Sequence, residues 1–262
     1  MRALNIRRIG LALFSAGWVA LGGLCLIMRD FLWQYEPVPA WVPRLPLAFI
    51  PAIVLVACGL ALMFARTRKV AALVLVADLL VWLVVLQPPV VLKAPAVVFT
   101  WLPFFEVGVL LSGALVLLSD PAYAPNFRFL TNGRGTRLAQ IVFAVCCFEF
   151  AASHIVYSAG TAAFIPGWIP GRLFLAYVTG FGHLCAGLAI LSGVQARLGA
   201  RLEALMMSSF VLLVHVPSLF LKTLPFWAPD HRTIWLALFI ATSLSGAAWL
   251  IAASIGRRPV SR

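Results

Sequence analysis

The chain has 262 residues, of which 63% are hydrophobic and only 11% are charged, and its mean hydropathy is +1.03. A water-soluble domain is excluded, because such domains are about half apolar and about a quarter charged. The net charge of +12 comes from short basic clusters between apolar runs. This pattern indicates orientation in a lipid bilayer and gives no basic domain to hold a nucleic acid.

Apolar runs of about 20 residues, the length of a helix that crosses a bilayer, recur along the chain without the two-residue alternation of a β-barrel. They predict an all-α polytopic membrane protein with about eight transmembrane helices. The predicted spans are 9–28, 46–65, 70–88, 99–118, 137–158, 172–193, 202–222 and 233–254. The breaks are short, and the longest inner break, Ser119 to Thr136, is rich in turn-forming residues and predicts a linker.

Lys and Arg are shared unevenly between the two sides of the predicted bundle. With the N-terminus inside, the six outer residues are outnumbered by fourteen inner ones, namely Arg2, Arg7, Arg8, Arg66, Arg68, Lys69, Arg128, Arg134, Arg137, Arg197, Arg201, Arg257, Arg258 and Arg262. Cytoplasmic loops carry this excess, so we expect both termini in the cytoplasm. The apolar run that ends at Met28 exceeds the core of a cleaved signal, and it predicts a retained first span.

Collinear matches indicate that the chain is a tandem duplication. The matched pairs are 38–43 with 165–170, 59–62 with 187–190, Pro88 with Pro217, Lys93 with Lys222, and 111–114 with 244–247. Four spans per repeat give both repeats the same orientation, so two parallel four-helix bundles are expected. The predicted units are a diverged repeat at 1–120, a cytoplasmic linker at 121–136 and a second repeat at 137–262.

Both copies of the outer loop contain the pattern Pro-x-Trp-x-Pro. Proline fixes φ and removes an N–H donor, so the loop is expected to be stiff and extended. A tryptophan ring is most stable at the headgroup boundary, where Tyr35 is also expected. The loop residues either anchor the protein in the interface or cap a cavity between helices, and they are Trp41, Pro166, Trp168 and Pro170.

Four motifs between His154 and Pro217 carry a family resemblance. They are His-Ile-Val-Tyr at 154–157, Ile-Pro-Gly-Trp-Ile-Pro at 165–170, Tyr-Val-Thr-Gly at 177–180 and Ala-Gly-Leu-Ala at 186–189. This stretch resembles the DoxX / DoxX-like family of small four-helix membrane proteins. The first repeat keeps the Pro-x-Trp-x-Pro loop and the glycine-containing segment at 59–62, but it lacks a counterpart of His154. The chain therefore looks like two fused DoxX-like units, one of them diverged.

The DoxX-like resemblance implies a multi-pass protein of the bacterial or archaeal cytoplasmic (inner) membrane. Some members of the family are linked to quinone-dependent oxidoreductases, or to membrane complexes that handle thiol and oxidative stress, and many have no assigned activity. A membrane or periplasmic redox partner protein is therefore expected beside the lipid bilayer itself. A likeness of fold does not by itself define a reaction.

Ionisable side chains at membrane depth are costly, and each is a candidate for function. The predicted spans contain no Lys or Arg in their interiors, but they contain Asp78, Glu106, Glu149, His154, His183 and His215. From the helical rise of 1.5 Å per residue, Glu149 and His183 are expected near the midplane of a core about 30 Å thick. His154 and His215 are expected in the outer third.

Because the fifth to seventh spans share one bundle, Glu149 and these three histidines are predicted to line one polar path that opens outward under the 165–170 loop. Such a path suits a quinone headgroup or a proton relay, because histidine and carboxyl groups exchange protons. In the structural alternative, Glu149 and His183 bond each other and only fix helix packing. Asp78 is expected to bond across the interface between repeats. Glu203 is expected at the inner surface in an ion pair.

Three functions remain open. They are an accessory subunit of a membrane redox or quinone-linked complex, a small-molecule or proton-coupled transporter, and a non-catalytic scaffold. No catalytic motif is recognisable, so an enzymatic role is at most that of a subunit of a membrane oxidoreductase. Quinone is the cofactor that fits these expectations. Haem has no supporting spacing, and the five cysteines form no CxxC pair or zinc pattern, so no metal is predicted.

Overall fold

The computed structural model of the chain describes residues 3–120 and 133–256. Most of the predicted linker, at 121–132, lies outside the described residues, as do Arg2, Arg128, Arg257, Arg258 and Arg262. Within the described ranges every regular element is a helix, and eight helices are long and apolar enough to cross a membrane. These helices are α1 Ala3–Met28, α2 Arg44–Met63, α3 Arg68–Val91, α4 Val98–Leu118, α5 Arg134–Val156, α6 Arg172–Ser192, α7 Ala196–Ser218 and α8 His231–Ser254.

The predicted all-α multi-pass architecture is thereby confirmed, and most helix ends lie within a few residues of the predicted ones. The largest differences are at the starts of α1, which begins at Ala3 rather than at 9, and of α7, which begins at Ala196 rather than at 202. The first two turns of α7 carry Arg197 and Arg201, so an apolar run starts later than the helix itself. The side of the bundle on which α1 begins and α8 ends is called the terminal side, and the opposite side is called the far side.

Consecutive helices pack against each other from α1 to α8, and α8 closes the ring by packing on α1. A contact between α4 and α8 crosses the middle of the ring. The helices α1–α4 and α5–α8 therefore meet along three seams, which are α1–α8, α4–α5 and α4–α8. Of the eight helices α8 is the most buried, followed by α4.

Small residues set the distance between helices along two of these seams. A Cβ at Gly246 on α8 would collide with the backbone of Phe14 on α1. A Cβ at Gly113 on α4 would lie 2.8 Å from the Cβ of Ala247 on α8, which is too close for two carbon atoms. Close backbone approach of this kind is typical of helix packing in lipid, where small residues replace the hydrophobic effect as the source of association.

Two helices contain a π-helical turn at a corresponding position. The turn in α3 covers Trp82–Leu86 and precedes Pro88, and the turn in α7 covers Val211–His215 and precedes Pro217. A proline removes an N–H donor from the helix, and a wider turn is one way to accommodate the loss. The two turns are separated by the same number of residues as the two prolines, and this coincidence supports the predicted duplication.

Arginines at the start of two helices satisfy carbonyl groups at the end of a neighbouring helix. Nε of Arg68 on α3 donates to the carbonyl oxygen of Leu62 at 2.7 Å, near the end of α2. Arg137 on α5 donates to the carbonyls of Ile190 and Leu191 at 2.9 and 2.7 Å, near the end of α6. The last carbonyls of a helix lack partners within the helix, so these bonds stabilise the terminal side.

Substitution of Gly246 tests the α1–α8 seam. We expect Gly246→Ala to lower the free energy of unfolding by about 1–3 kcal/mol, because a methyl group there overpacks against the Phe14 backbone. Thermal unfolding of the purified protein in detergent measures the change. The matched control is Gly23→Ala on α1, where a Cβ would meet no atom within 4 Å. Equal stability of the two variants would contradict the seam.

Candidate functional site

Glu203 and His183 form a buried pair between α7 and α6. The Nδ1 atom of His183 lies 2.8 Å from Oε1 of Glu203, and each residue is 1% exposed. The rings of Phe150 and Phe210 lie 5.5 and 6.0 Å from the His183 ring and help to exclude solvent. The predicted surface ion pair of Glu203 is therefore wrong. Because α7 starts at Ala196, Glu203 lies about two turns inside the helix.

The His154 ring packs directly against the His183 ring. The two imidazole rings meet edge to face, with centroids 4.9 Å apart. Nδ1 of His154 lies 2.8 Å from the hydroxyl of Thr179, and that hydroxyl donates to the Leu175 carbonyl at 2.9 Å. Since the hydroxyl hydrogen is given to the backbone, Nδ1 of His154 is the donor in its own bond, and Nε2 is left as the nitrogen that accepts a proton.

Glu149 lies one helical turn from Ser153 on α5 and accepts a hydrogen bond from its hydroxyl. The Glu149 carboxyl group is buried, and it interacts electrostatically with His183. The predicted hydrogen bond between Glu149 and His183 is nevertheless wrong, because Nδ1 of His183 bonds Glu203 instead. Oε2 of Glu149 has no hydrogen-bond partner among the described residues. Oε2 of Glu149 is therefore a hydrogen-bond acceptor that remains available beside His183.

The polar residues continue from α5 into the first half of the protein. Glu106 on α4 is close enough to Glu149 for their charges to interact, and it accepts a hydrogen bond of 2.8 Å from the Tyr35 hydroxyl. Tyr35 is buried, so its predicted place in the aromatic belt is wrong. Burial, together with the neighbouring Glu106 charge, raises the pKa of Tyr35 well above its usual range, so the phenol stays protonated and donates.

The six residues Glu203, His183, His154, Glu149, Glu106 and Tyr35 are called the acid–histidine chain. It joins four helices and the loop after α1, and it includes four of the six ionisable residues predicted from the spans. Glu203 and Tyr35 were missed as members because hydropathy placed both at the membrane surface. A signal for Glu203 was present in the sequence: an acid followed by mostly apolar residues on a helix whose two arginines both precede it.

Asp78 and Glu36 form a second acidic pair beside the chain. Glu36 is buried in the loop after α1, where it accepts from the Leu32 backbone N–H at 3.1 Å and interacts electrostatically with Asp78. Asp78 lies beside the Trp82 indole, one turn along α3. Its predicted bond across the interface between repeats is therefore wrong. Gln87 holds the loop in place by donating to two of its carbonyl groups, at 3.0 and 3.1 Å.

His215 is the one histidine of the predicted path that the structure places elsewhere. Its ring lies 6.3 Å from the ring of Trp227, in the segment between α7 and α8. It is the last residue of the π-helical turn in α7. Within the described part of the chain its Nδ1 atom has no hydrogen-bond partner. The predicted path of four residues is thus reduced to Glu149, His154 and His183.

The outer-loop tryptophans point away from the protein interior. Trp41 is 82% exposed and Trp168 is 70% exposed. A cavity of about 410 Å³ does lie beside the second loop, where Gly171 and Arg172 begin α6, but Trp168 and its flanking prolines are not among the residues that line it. Exposed tryptophan rings can contact lipid headgroups, so this arrangement favours interfacial anchoring over a cap that covers this cavity.

Fold and site together define an α-helical multi-pass membrane protein with ionisable groups inside the bundle. Comparison with protein-family models, with curated proteins and with solved structures gives no match for this chain. The DoxX-like resemblance therefore stays a prediction. The side chains alone support proton exchange as the chemistry of the site, since each member of the acid–histidine chain is a proton donor or acceptor.

Glu36 gives the site a testable pH dependence. Burial raises the pKa of its carboxyl group from 4.5 to about 8, although the Leu32 N–H opposes the shift. Between these two values the folded protein keeps a proton that the unfolded chain releases, so this contribution to stability falls as the pH rises from about 5 to 8 and is constant above. Glu36→Gln removes the titration, and we expect the variant to gain stability relative to the unchanged protein across that range.

The measurement is thermal unfolding in detergent at pH values from 5 to 9, with Asp30→Asn as the control. Asp30 is a partly exposed acid in the same loop and pairs with Arg44 at 3.0 Å. A difference between Glu36→Gln and the unchanged protein that stays constant over this range would show that Glu36 is ionised in the fold.

Proposed function

We propose that the protein transfers protons through the membrane along the acid–histidine chain, as an accessory subunit of a quinone-linked or other redox complex of the bacterial cytoplasmic membrane. The observation that carries the proposal is the buried Glu203–His183 bond in direct contact with the His154 ring. Carboxyl and imidazole groups that touch inside a bundle are the components from which membrane proteins build proton relays.

The atoms in contact define the order of transfer. A proton on the Glu203 carboxyl group passes through the 2.8 Å hydrogen bond to Nδ1 of His183. The imidazolium that forms releases a proton from its second ring nitrogen, and Nε2 of His154 is the acceptor that the Thr179 bond leaves open. Glu149, which interacts electrostatically with His183, and Glu106 then receive the proton in turn. After its O–H bond rotates away from Glu106, the Tyr35 hydroxyl accepts this proton as it releases its own toward the far side, so the phenol stays protonated throughout.

The depth of these groups supports transfer over most of the membrane. By the helical rise, Glu203 lies roughly 10 Å from the terminal-side end of α7, and His183 lies roughly 16 Å from the far-side end of α6. Glu106 lies roughly 12 Å from the far-side end of α4, and the Tyr35 loop lies beyond it. The chain thus extends from the terminal third of a core about 30 Å thick to the far surface.

The same proposal assigns an orientation and a role to the two halves. The excess of Lys and Arg on the terminal side supports a cytoplasmic location for that side. The second half supplies Glu203 and His183, the two members nearest the cytoplasm, together with Glu149 and His154, while the first half supplies Glu106 and Tyr35. Matching π-helical turns and prolines support two DoxX-like repeats that have since specialised, with the exchange between them at the α4–α5 seam.

A proton-coupled transporter is the second candidate. The observation that favours it is a groove of about 260 Å³ between α6 and α7, which Glu203 itself lines. A ligand bound there would contact the first member of the acid–histidine chain, and its movement could be coupled to that of a proton. The scaffold alternative predicts that neither protons nor ligands move.

Proton flux through the purified full chain in liposomes tests the proposal. The liposomes contain a pH-sensitive dye, and a potassium gradient with valinomycin drives protons inward. We expect Glu203→Gln and His183→Phe to lower the flux by about tenfold or more, because each removes a group that exchanges protons. The controls are Asp30→Asn and His231→Gln, surface residues of the same chemical types. Flux at the level of empty liposomes would overturn the proposal.

The redox-complex part of the proposal has its own test. We expect purification in a mild detergent, followed by mass spectrometry of the lipids, quinones and proteins that accompany the chain, to recover a quinone or a redox protein. The physical reason is that a relay serves chemistry that takes up or releases protons, and quinone reactions do both. Recovery of neither, from a sample that carries proton flux, would leave the transporter as the better assignment.

A further inference from the structure

The groove between α6 and α7 is named the α6–α7 groove. Its walls are mostly apolar or small, and they include Gly182, Cys185, Leu202 and Met206. Glu203 is the acid that lines it. Leu198 and Leu202 are more than half exposed on this face, so the groove opens toward lipid. A ligand therefore reaches it from within the bilayer.

Glu203, which lines the α6–α7 groove, has one carboxyl oxygen without a hydrogen-bond partner. Its Oε1 atom is occupied by His183, whereas Oε2 is buried and finds no hydrogen-bond partner in the ranges that the structure describes. A buried acceptor without a partner is unfavourable, because it has lost its hydrogen bonds to water and gained none in the protein. A ligand that donates a hydrogen bond to Oε2 would recover this cost. The arrangement thus selects for a donor group rather than for an acceptor.

The surroundings narrow the chemistry of the donor. The residues that line the groove beside Glu203 are apolar, small or neutral, so a charged ligand would lose its hydration there, whereas a neutral hydroxyl on an apolar body would not. The volume of about 260 Å³ is below the roughly 300 Å³ at which pockets for drug-sized molecules begin, so it suits a single ring with a tail that extends into lipid. The sulfur of Met206 favours an aromatic ring as its neighbour.

We propose that the α6–α7 groove binds a lipid-soluble molecule with an aromatic hydroxyl headgroup, which donates a hydrogen bond to Oε2 of Glu203. This inference rests on the proposed function and deepens it, because it names the class of molecule whose hydroxyl lies at the entrance of the acid–histidine chain. The tail leaves the groove along the exposed leucines of α7.

Photo-crosslinking of the full chain in lipid nanodiscs tests the groove. The probe is a long-chain phenol that carries a diazirine on its tail, and peptide mass spectrometry locates the labelled residues. We expect labelling of α6 and α7. Pentadecylphenol should compete with the probe about tenfold better than its methyl ether, which keeps the ring and the tail but cannot donate a hydrogen bond.

Two variants separate recognition at Glu203 from general partition into lipid. Glu203→Met should abolish the preference for the phenol over the ether. Leu202→Trp should block the groove without touching the Glu203–His183 bond, whereas Leu205→Trp is the matched control, a leucine of similar exposure on the same helix that does not line the groove. We expect Leu202→Trp to reduce labelling severalfold and Leu205→Trp to leave it unchanged.

Equal competition by phenol and ether, or equal labelling of Leu202→Trp and Leu205→Trp, would overturn the inference. The experiment uses no proton gradient, so its result is independent of the flux measurement. Proton flux without specific labelling would keep the relay and remove the phenol. Specific labelling without flux would keep the groove as a binding site and remove the relay.

Discussion

Glu203 and His183 are ionisable groups that α7 and α6 hold away from water. The hydrogen bond between them offsets part of the cost of burying each group. Removal of one partner from such a pair leaves a buried polar group without a hydrogen bond and typically costs about 1–3 kcal/mol. The 2.8 Å bond therefore fixes how α6 meets α7. The neighbouring histidine, the proposed proton transfer and the α6–α7 groove all depend on where this bond places the Glu203 carboxyl group.

The two halves of the protein solve the problem of buried polar groups differently. In the second half, histidines accompany the acids. In the first half, Tyr35 and Gln87 supply neutral donors, and the buried acid Glu36 keeps a proton at neutral pH because burial raises its pKa. This difference gives the two halves of the chain unlike chemistry. The α4–α5 seam, where Glu106 approaches Glu149, is the place at which the two kinds of interior are in contact.

The helices were predictable because the thickness of the bilayer fixes the length of an apolar run. The candidate residues were predictable because ionisable side chains are costly, and therefore rare, inside membrane spans. Which residues touch was less accessible. The His215 side chain was expected to face its neighbours on a regular helix, but the π-helical turn that ends at this residue changes the direction in which its side chain points. Tyr35 was assigned to the surface because hydropathy does not reveal that a loop folds inward onto Gln87.

The position of α8 has a consequence for how the protein is made. The helix packs on α1, α4 and α7 near the centre of the bundle, yet it begins about 200 residues after α1 ends. During translation α1 enters the bilayer long before its main neighbour exists, and the surface around Phe14 faces lipid or an insertion factor in the meantime. The ribosome must therefore complete α8 before the ring of these eight helices can close, and α8 has to enter between partners that already lie in the membrane.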